Sequence, residues 1–148
     1  MSTIAPIARV SERLLTEIER SVSRFPRAHK YLLGADLRKL ALQGALLSHE
    51  YLRAARYPQQ QIEIVGKLIA SNDRLKLHLQ TGHRLNVFSS RGNFELLAGL
   101  ARDVGRQSGA MLRARDGHRT GQSPAAAARP ERPLTLSTRP ASSQEANR

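Results

Sequence analysis

The chain has 148 residues, twenty-four Lys and Arg against twelve Asp and Glu, and a formal net charge of +12. That length suits one compact domain and is short for two. With no cysteine there is no disulfide, thiolate zinc site or Cys nucleophile, and no apolar stretch has signal-peptide or membrane-span length, so a soluble cytoplasmic protein is expected.

Three Phe, three Tyr, no Trp and few β-branched runs argue against a sheet protein and for an all-α one. The charge is unevenly placed. Nineteen Lys and Arg and nine Asp and Glu precede Asp116, against five and three from there on, so the excess belongs to the folding unit. A field of this size attracts polyanions: nucleic acid, an anionic membrane surface or an acidic protein. Arg outnumbers Lys twenty to four, and the guanidinium fork suits bidentate contact with phosphate.

Residues 1–9 read as an N-terminal extension. Helical spacing then predicts a first helix over about Val10 to Arg24, with Leu14, Leu15, Ile18, Val22 and Phe25 on one side and Arg13, Arg20 and Arg24 on the other. Pro26 ends it and suits the start of the next. The second helix is expected from Arg27 to Arg56, where Pro58 stops it. Its core stripe is Leu33, Leu37, Leu40, Gly44, Leu47 and Tyr51, while Leu42, Ala45 and Leu46 form a second apolar patch that points to self-association. The third runs from Gln59 to about Arg84, with Val65, Leu68, Asn72, Leu75 and Leu79 inward, Ile62 and Ile69 flanking, and Glu63 paired with Lys67. A short loop, Leu85 to Ser90, offers a serine N-cap. The fourth, about Ser90 to Arg115, presents Leu97, Leu100, Ala101, Val104, Ser108 and Leu112, with Gly105 and Gly109 one turn apart to admit a close neighbour. Residues 10–115 therefore read as an antiparallel up-down-up-down four-helix bundle. Residues 116–148, with four prolines, an alanine run and many Ser, Thr and Gln, read as a disordered tail.

The candidate nucleic-acid surface follows from the helical stripes. Arg38, His49, Arg53 and Arg56 share the side of the second helix away from its core stripe, with Lys39 beside them. Lys67, Arg74 and His78 line one side of the third, flanked by Lys76 and Arg84, and Arg24, Arg27 and Lys30 surround the first junction. Such stripes can meet successive phosphates, whereas no base-reading motif is present, and Tyr31 and Tyr51 read as inter-helix packing. Leu42, Leu46 and His49 are the expected oligomer or partner contacts.

No enzyme pattern emerges, and no cofactor or metal is expected. His49-Glu50 lacks a second His four residues after the first, His78 and His83 fall on different faces, and no Gly-rich phosphate loop or carboxylate pair recurs. His29 and His118 stand alone.

Three stretches resemble the four-helix bundle family that contains the accessory variability determinant proteins (Avd) of diversity-generating retroelements. The first is Phe25-Pro26-Arg27-Ala28-His29-Lys30-Tyr31-Leu32-Leu33-Gly34. The second is Leu75-Lys76-Leu77-His78-Leu79-Gln80 with Leu85 to Ser89. The third is Phe94, then Asp103-Val104-Gly105-Arg106 and Gly109-Ala110-Met111-Leu112. The similarity covers roughly Ser11 to Arg115 and departs from the family pattern at Gln80, Ser108 and Met111. It implies a homopentamer of four-helix protomers with a basic surface that binds a reverse transcriptase and its template-repeat RNA, and with them the complementary DNA. The alternatives are the sister proteins encoded within intervening sequences of ribosomal RNA, a purely structural helical oligomerisation module, and a weaker membrane-surface reading.

Overall fold

Prolines set three of the boundaries seen in the computed structural model, which describes residues 5–122, with side chains as far as Gly117. Pro6 opens α1 (Pro6–Ser23), Pro26 precedes the one-turn α2 (Arg27–Lys30), and Pro58 opens α4 (Pro58–Arg84). Between and after them lie α3 (Leu33–Arg53) and α5 (Arg91–Gln122), and no strand occurs among the described residues. Proline suits these positions because its missing N–H would be unbonded there and its φ is already helical.

The four long helices share one core. α1 packs on α3 and α5, α4 packs on the same two, and α2 lies against α3. Ile18, Leu37, Leu68, Leu75, Leu79 and Leu97 are almost wholly buried, each contributing about 1.5–3 kcal/mol relative to an exposed side chain. Small residues let the helices approach. Ser11 donates to Ser48 at 2.9 Å, and the Ser48 proton goes to the Gly44 carbonyl at 2.8 Å. Asn72, inward as its spacing implies, donates to the Ala101 carbonyl at 2.9 Å, so the buried amide is satisfied. Gly105 lies beside it, where an added Cβ would come within 3.3 Å of Asn72 Nδ2. Gly109 meets no neighbouring helix and touches only Arg113 of its own.

Several expectations need correction. α1 begins four residues early, and Ile7 and Ala8 are core residues rather than part of an extension. The expected second helix is broken at Tyr31 and Leu32. Gly34 is seated so tightly on α1 that a Cβ would meet Val22 Cγ1 at 2.6 Å, and Phe25 holds the other side of the corner. The chain between them bulges outward, leaving Tyr31 69% and Leu32 73% exposed, so Tyr31 does not pack between helices. α3 ends at Arg53 and a turn closes it, with Tyr57 N–H donating to the Ala54 carbonyl at 2.9 Å. Ala45 is buried, which leaves only Leu42 (48%) and Leu46 (53%) of the second apolar patch exposed. Glu63 and Lys67 make no ion pair; the carboxylates near α4's cations that do are Asp36 and Asp73. α5 runs on through Gln122, so residues 116–122 are helical, while the rest of the expected tail lies outside the described residues.

Candidate nucleic-acid interface

The cationic side chains divide by whether a carboxylate reaches them. Arg20 pairs with Glu17 at 3.0 Å, Arg38 Nε lies 2.9 Å from Glu19 Oε2, Lys76 reaches Asp73 at 3.2 Å, Arg91 reaches Glu95 at 3.0 Å and Arg106 reaches Asp103 at 2.5 Å. His49 lies 2.6 Å from Glu12 and His78 3.8 Å from Asp36. Among the described residues, Arg24, Arg27, Lys30, Lys39, Arg53, Arg56, Lys67, Arg74 and Arg84 have no carboxylate within 4.0 Å. All of these are exposed except Lys30, which is half-buried. Exposed pairs contribute little to stability. Their relevance is that they use up most of the negative charge and leave this second group unneutralised.

The residues expected to bind do not form one face. Arg38 is drawn against α1 by Glu19, so much of its charge is already satisfied, and Lys76 is similarly engaged by Asp73. His49, expected at a partner contact, is tied to α1 through Glu12, with both side chains partly exposed. Lys39 and Arg53 lie with Leu42 and Leu46 on the outer side of α3, a placement that helical spacing and exposure agree on. Lys67 and Arg74 follow the α4 edge that faces α3. There His78 donates Nδ1–H to the Arg74 carbonyl at 2.8 Å and turns its other nitrogen toward Asp36.

Arg24, Arg27, Lys30 and Arg84 belong to one end of the molecule. The packing that brings them there is aromatic. Phe25 meets Phe88 edge-on with centroids 5.3 Å apart, Phe88 meets Phe94 at 5.5 Å, and His83 stacks on Phe94 at 4.1 Å and 11°. The α1–α2 junction and the α4–α5 loop are thereby fastened together. α4 ends just before, on Asn86 with φ 55°; its N–H donates to the His83 carbonyl and that of Val87 to Gly82, each at 3.1 Å. Asn tolerates this left-handed conformation, and the paired bonds satisfy carbonyls that the helix end would otherwise strand. Ser90 then caps α5, its hydroxyl accepting from Asn93 N–H at 3.1 Å, as the sequence implies.

The arginine stripe that the sequence reading set on the polar side of the first helix is longer than expected. Arg9, Arg13, Arg20 and Arg24 repeat along the outward stripe of α1, and α5 places Arg102 and Arg106 across from it. A groove of about 540 Å³ lies between, bordered by Arg13, Arg102 and Arg106 but also by the carboxylates Glu95 and Asp103, the latter paired with Arg106. Arg13, Arg20 and Arg24 were read as one side of the helix; Arg9 was not, because it fell in the stretch taken for an extension.

Among the described residues no three His, Asp or Glu side chains gather so as to hold an ion, and no helix is long and apolar enough to cross a membrane. No model of a protein family matches the sequence, and no curated protein matches it.

Proposed function

We propose that this chain is a non-catalytic accessory protein of a diversity-generating retroelement, holding template RNA and the reverse transcriptase while mutagenic complementary DNA is made. In this reading the fold is an antiparallel up-down-up-down four-helix bundle that assembles as a homopentamer. The order of the helices is supported by paired contacts: Ser11 with Ser48, Ser71 with the Leu40 carbonyl, Asn72 with the Ala101 carbonyl and Ser21 with Asn93. Self-association is supported by Leu42 and Leu46, exposed one turn apart on α3.

One observation carries the reading: the exposed Lys and Arg that no carboxylate approaches, from Arg24 to Arg84. An ordinary soluble surface intersperses both signs, which limits self-repulsion. A surface left positive gains when phosphates replace its counterions. The polymerase as partner rests on the resemblance of the Phe25–Gly34, Leu75–Ser89 and Phe94–Leu112 stretches to the retroelement family.

The test is co-purification of the full chain with the reverse transcriptase encoded beside it, with RNA binding followed across a salt series. Both partners are expected to be retained. With about six phosphates neutralised, affinity drops roughly a thousandfold from about 50 to 200 mM salt. A chain that ignores RNA and DNA in dilute buffer and elutes as a single protomer overturns the proposal.

A further inference from the structure

We infer that the aromatic end of the molecule is a site for single-stranded nucleic acid, where cations take the phosphates of a strand and Tyr31 takes an unpaired base. The inference rests on the nucleic-acid reading above and narrows it to one place and one form of polymer.

The first support is the distribution of charge. Residues 20–35 contain Arg20, Arg24, Arg27 and Lys30, and residues 74–94 contain Arg74, Lys76, Arg84 and Arg91; neither stretch contains a carboxylate. The contacts of Phe25, Phe88, Phe94 and His83 bring the first stretch and residues 83–94 of the second to the same end, while Arg74 and Lys76 lie farther along α4. The carboxylates bordering them are engaged: Glu19 by Arg38, Asp36 by His78, Asp73 by Lys76 and Glu95 by Arg91. No other region of the described chain brings two acid-free stretches of such length together.

The second support is what stands exposed amid that charge. Tyr31 and Leu32 project from the corner between α2 and α3, and Leu85, 49% exposed, follows Arg84 on the other loop. The corner itself is held by Phe25 and Gly34, so Tyr31 and Leu32 serve no packing purpose within the protomer. Their water-facing apolar area suits a ligand that offers flat apolar groups between negative charges.

A single strand is that ligand. Its bases are unpaired and free to stack on an aromatic ring, and its phosphates lie alongside. A duplex hides its base faces and would leave Tyr31 idle. An anionic membrane would also meet cations and apolar side chains, but binding there scales with apolar area, and three separated residues supply little. The prevalence of Arg, whose planar fork both grips phosphate and stacks on bases, favours the strand.

The test measures binding of the full chain to a labelled twelve-nucleotide oligouridylate, its DNA counterpart, a blunt RNA duplex of equal length, and phosphatidylserine vesicles. Tyr31→Ala is expected to weaken binding to at least one of the two single strands about tenfold, with duplex binding changed less than twofold. Tyr31→Phe should retain wild-type affinity, since the ring remains. Joint Arg24→Gln, Arg27→Gln and Lys30→Gln should reduce the salt slope for the strand by about two, whereas Arg113→Gln with Arg115→Gln, toward the far end of α5, should change affinity less than threefold. All these side chains are at least partly exposed, and circular dichroism confirms that each variant is folded. Unchanged strand binding by Tyr31→Ala overturns the site, as does an equal loss from the α5 pair, or a Tyr31-dependent preference for vesicles over strands. A wild-type chain that binds no nucleic acid at all instead overturns the broader reading.

Discussion

The two ends of the molecule are built from the same helices and use charge in opposite ways. At the aromatic end, two loops are fastened by Phe25, Phe88, Phe94 and His83, and the cations around them face no free carboxylate. At the opposite end, Gln61 reaches the Tyr51 carbonyl at 3.0 Å across the turn between α3 and α4, and Ser11 meets Ser48. There Glu12, Glu50 and Glu63 stand among Arg9, Arg53, Arg56 and Lys67. Both ends are basic by count. Only the opposite end keeps unpaired carboxylates, Glu50 and Glu63, on the same surface as its unpaired cations, so the arrangement of charge, more than its total, tells the two apart.

The largest way to break this comparison is to remove the fastening. Phe25→Ala should cost about 3–5 kcal/mol, measured by urea unfolding, because it empties a buried site shared by α1 and the α4–α5 loop. A smaller effect, on binding rather than stability, is expected when Arg24, Arg27, Lys30 and Arg84 are all changed to Gln. Single-strand affinity in about 0.1 M salt should fall about a hundredfold while the unfolding midpoint stays put. Gly34→Ala should cost about 1–3 kcal/mol, since the new methyl meets Val22 at a corner with no room to relax. The smallest response belongs to the opposite end. Arg113→Gln with Arg115→Gln on α5 should alter stability by less than about 0.5 kcal/mol, and titration with the same oligonucleotide should change by less than threefold. A larger loss there than at the aromatic end would erase the distinction.

Much of the core was legible in the sequence, because the spacing of Leu14, Ile18 and Val22, of Val65, Leu68, Leu75 and Leu79, and of Leu97, Leu100 and Val104 repeats with the helical period. All of these are buried. The break at Tyr31 and Leu32 was not legible, since neither residue strongly disfavours a helix and Gly34, which does, lies inside α3. What decides it is non-local: the fit of Gly34 against Val22, twelve positions away. The cations were legible as stripes but not as free or engaged groups. Arg38 and His49 share a stripe with Arg53, yet their partners Glu19 and Glu12 sit on another helix, beyond anything periodicity within one segment can reveal. The early start of α1 was missed because Pro6 was read as part of a lead-in, although proline favours the first helical position.

The serine pair at the α1–α3 contact has a mechanical consequence. Ser11 and Ser48 face each other inside the core; Ser48 keeps its bond to the Gly44 carbonyl of its own helix, but Ser11 reaches Ser48 only while those two positions stay level. Sliding α1 by one turn, about 5.4 Å, would take the Ser11 hydroxyl from that partner at a cost of about 1–3 kcal/mol. The protomer therefore resists shear along its long axis. Freedom to adjust is left to the corners, where Tyr31 and Leu85 stand clear of the packed interior.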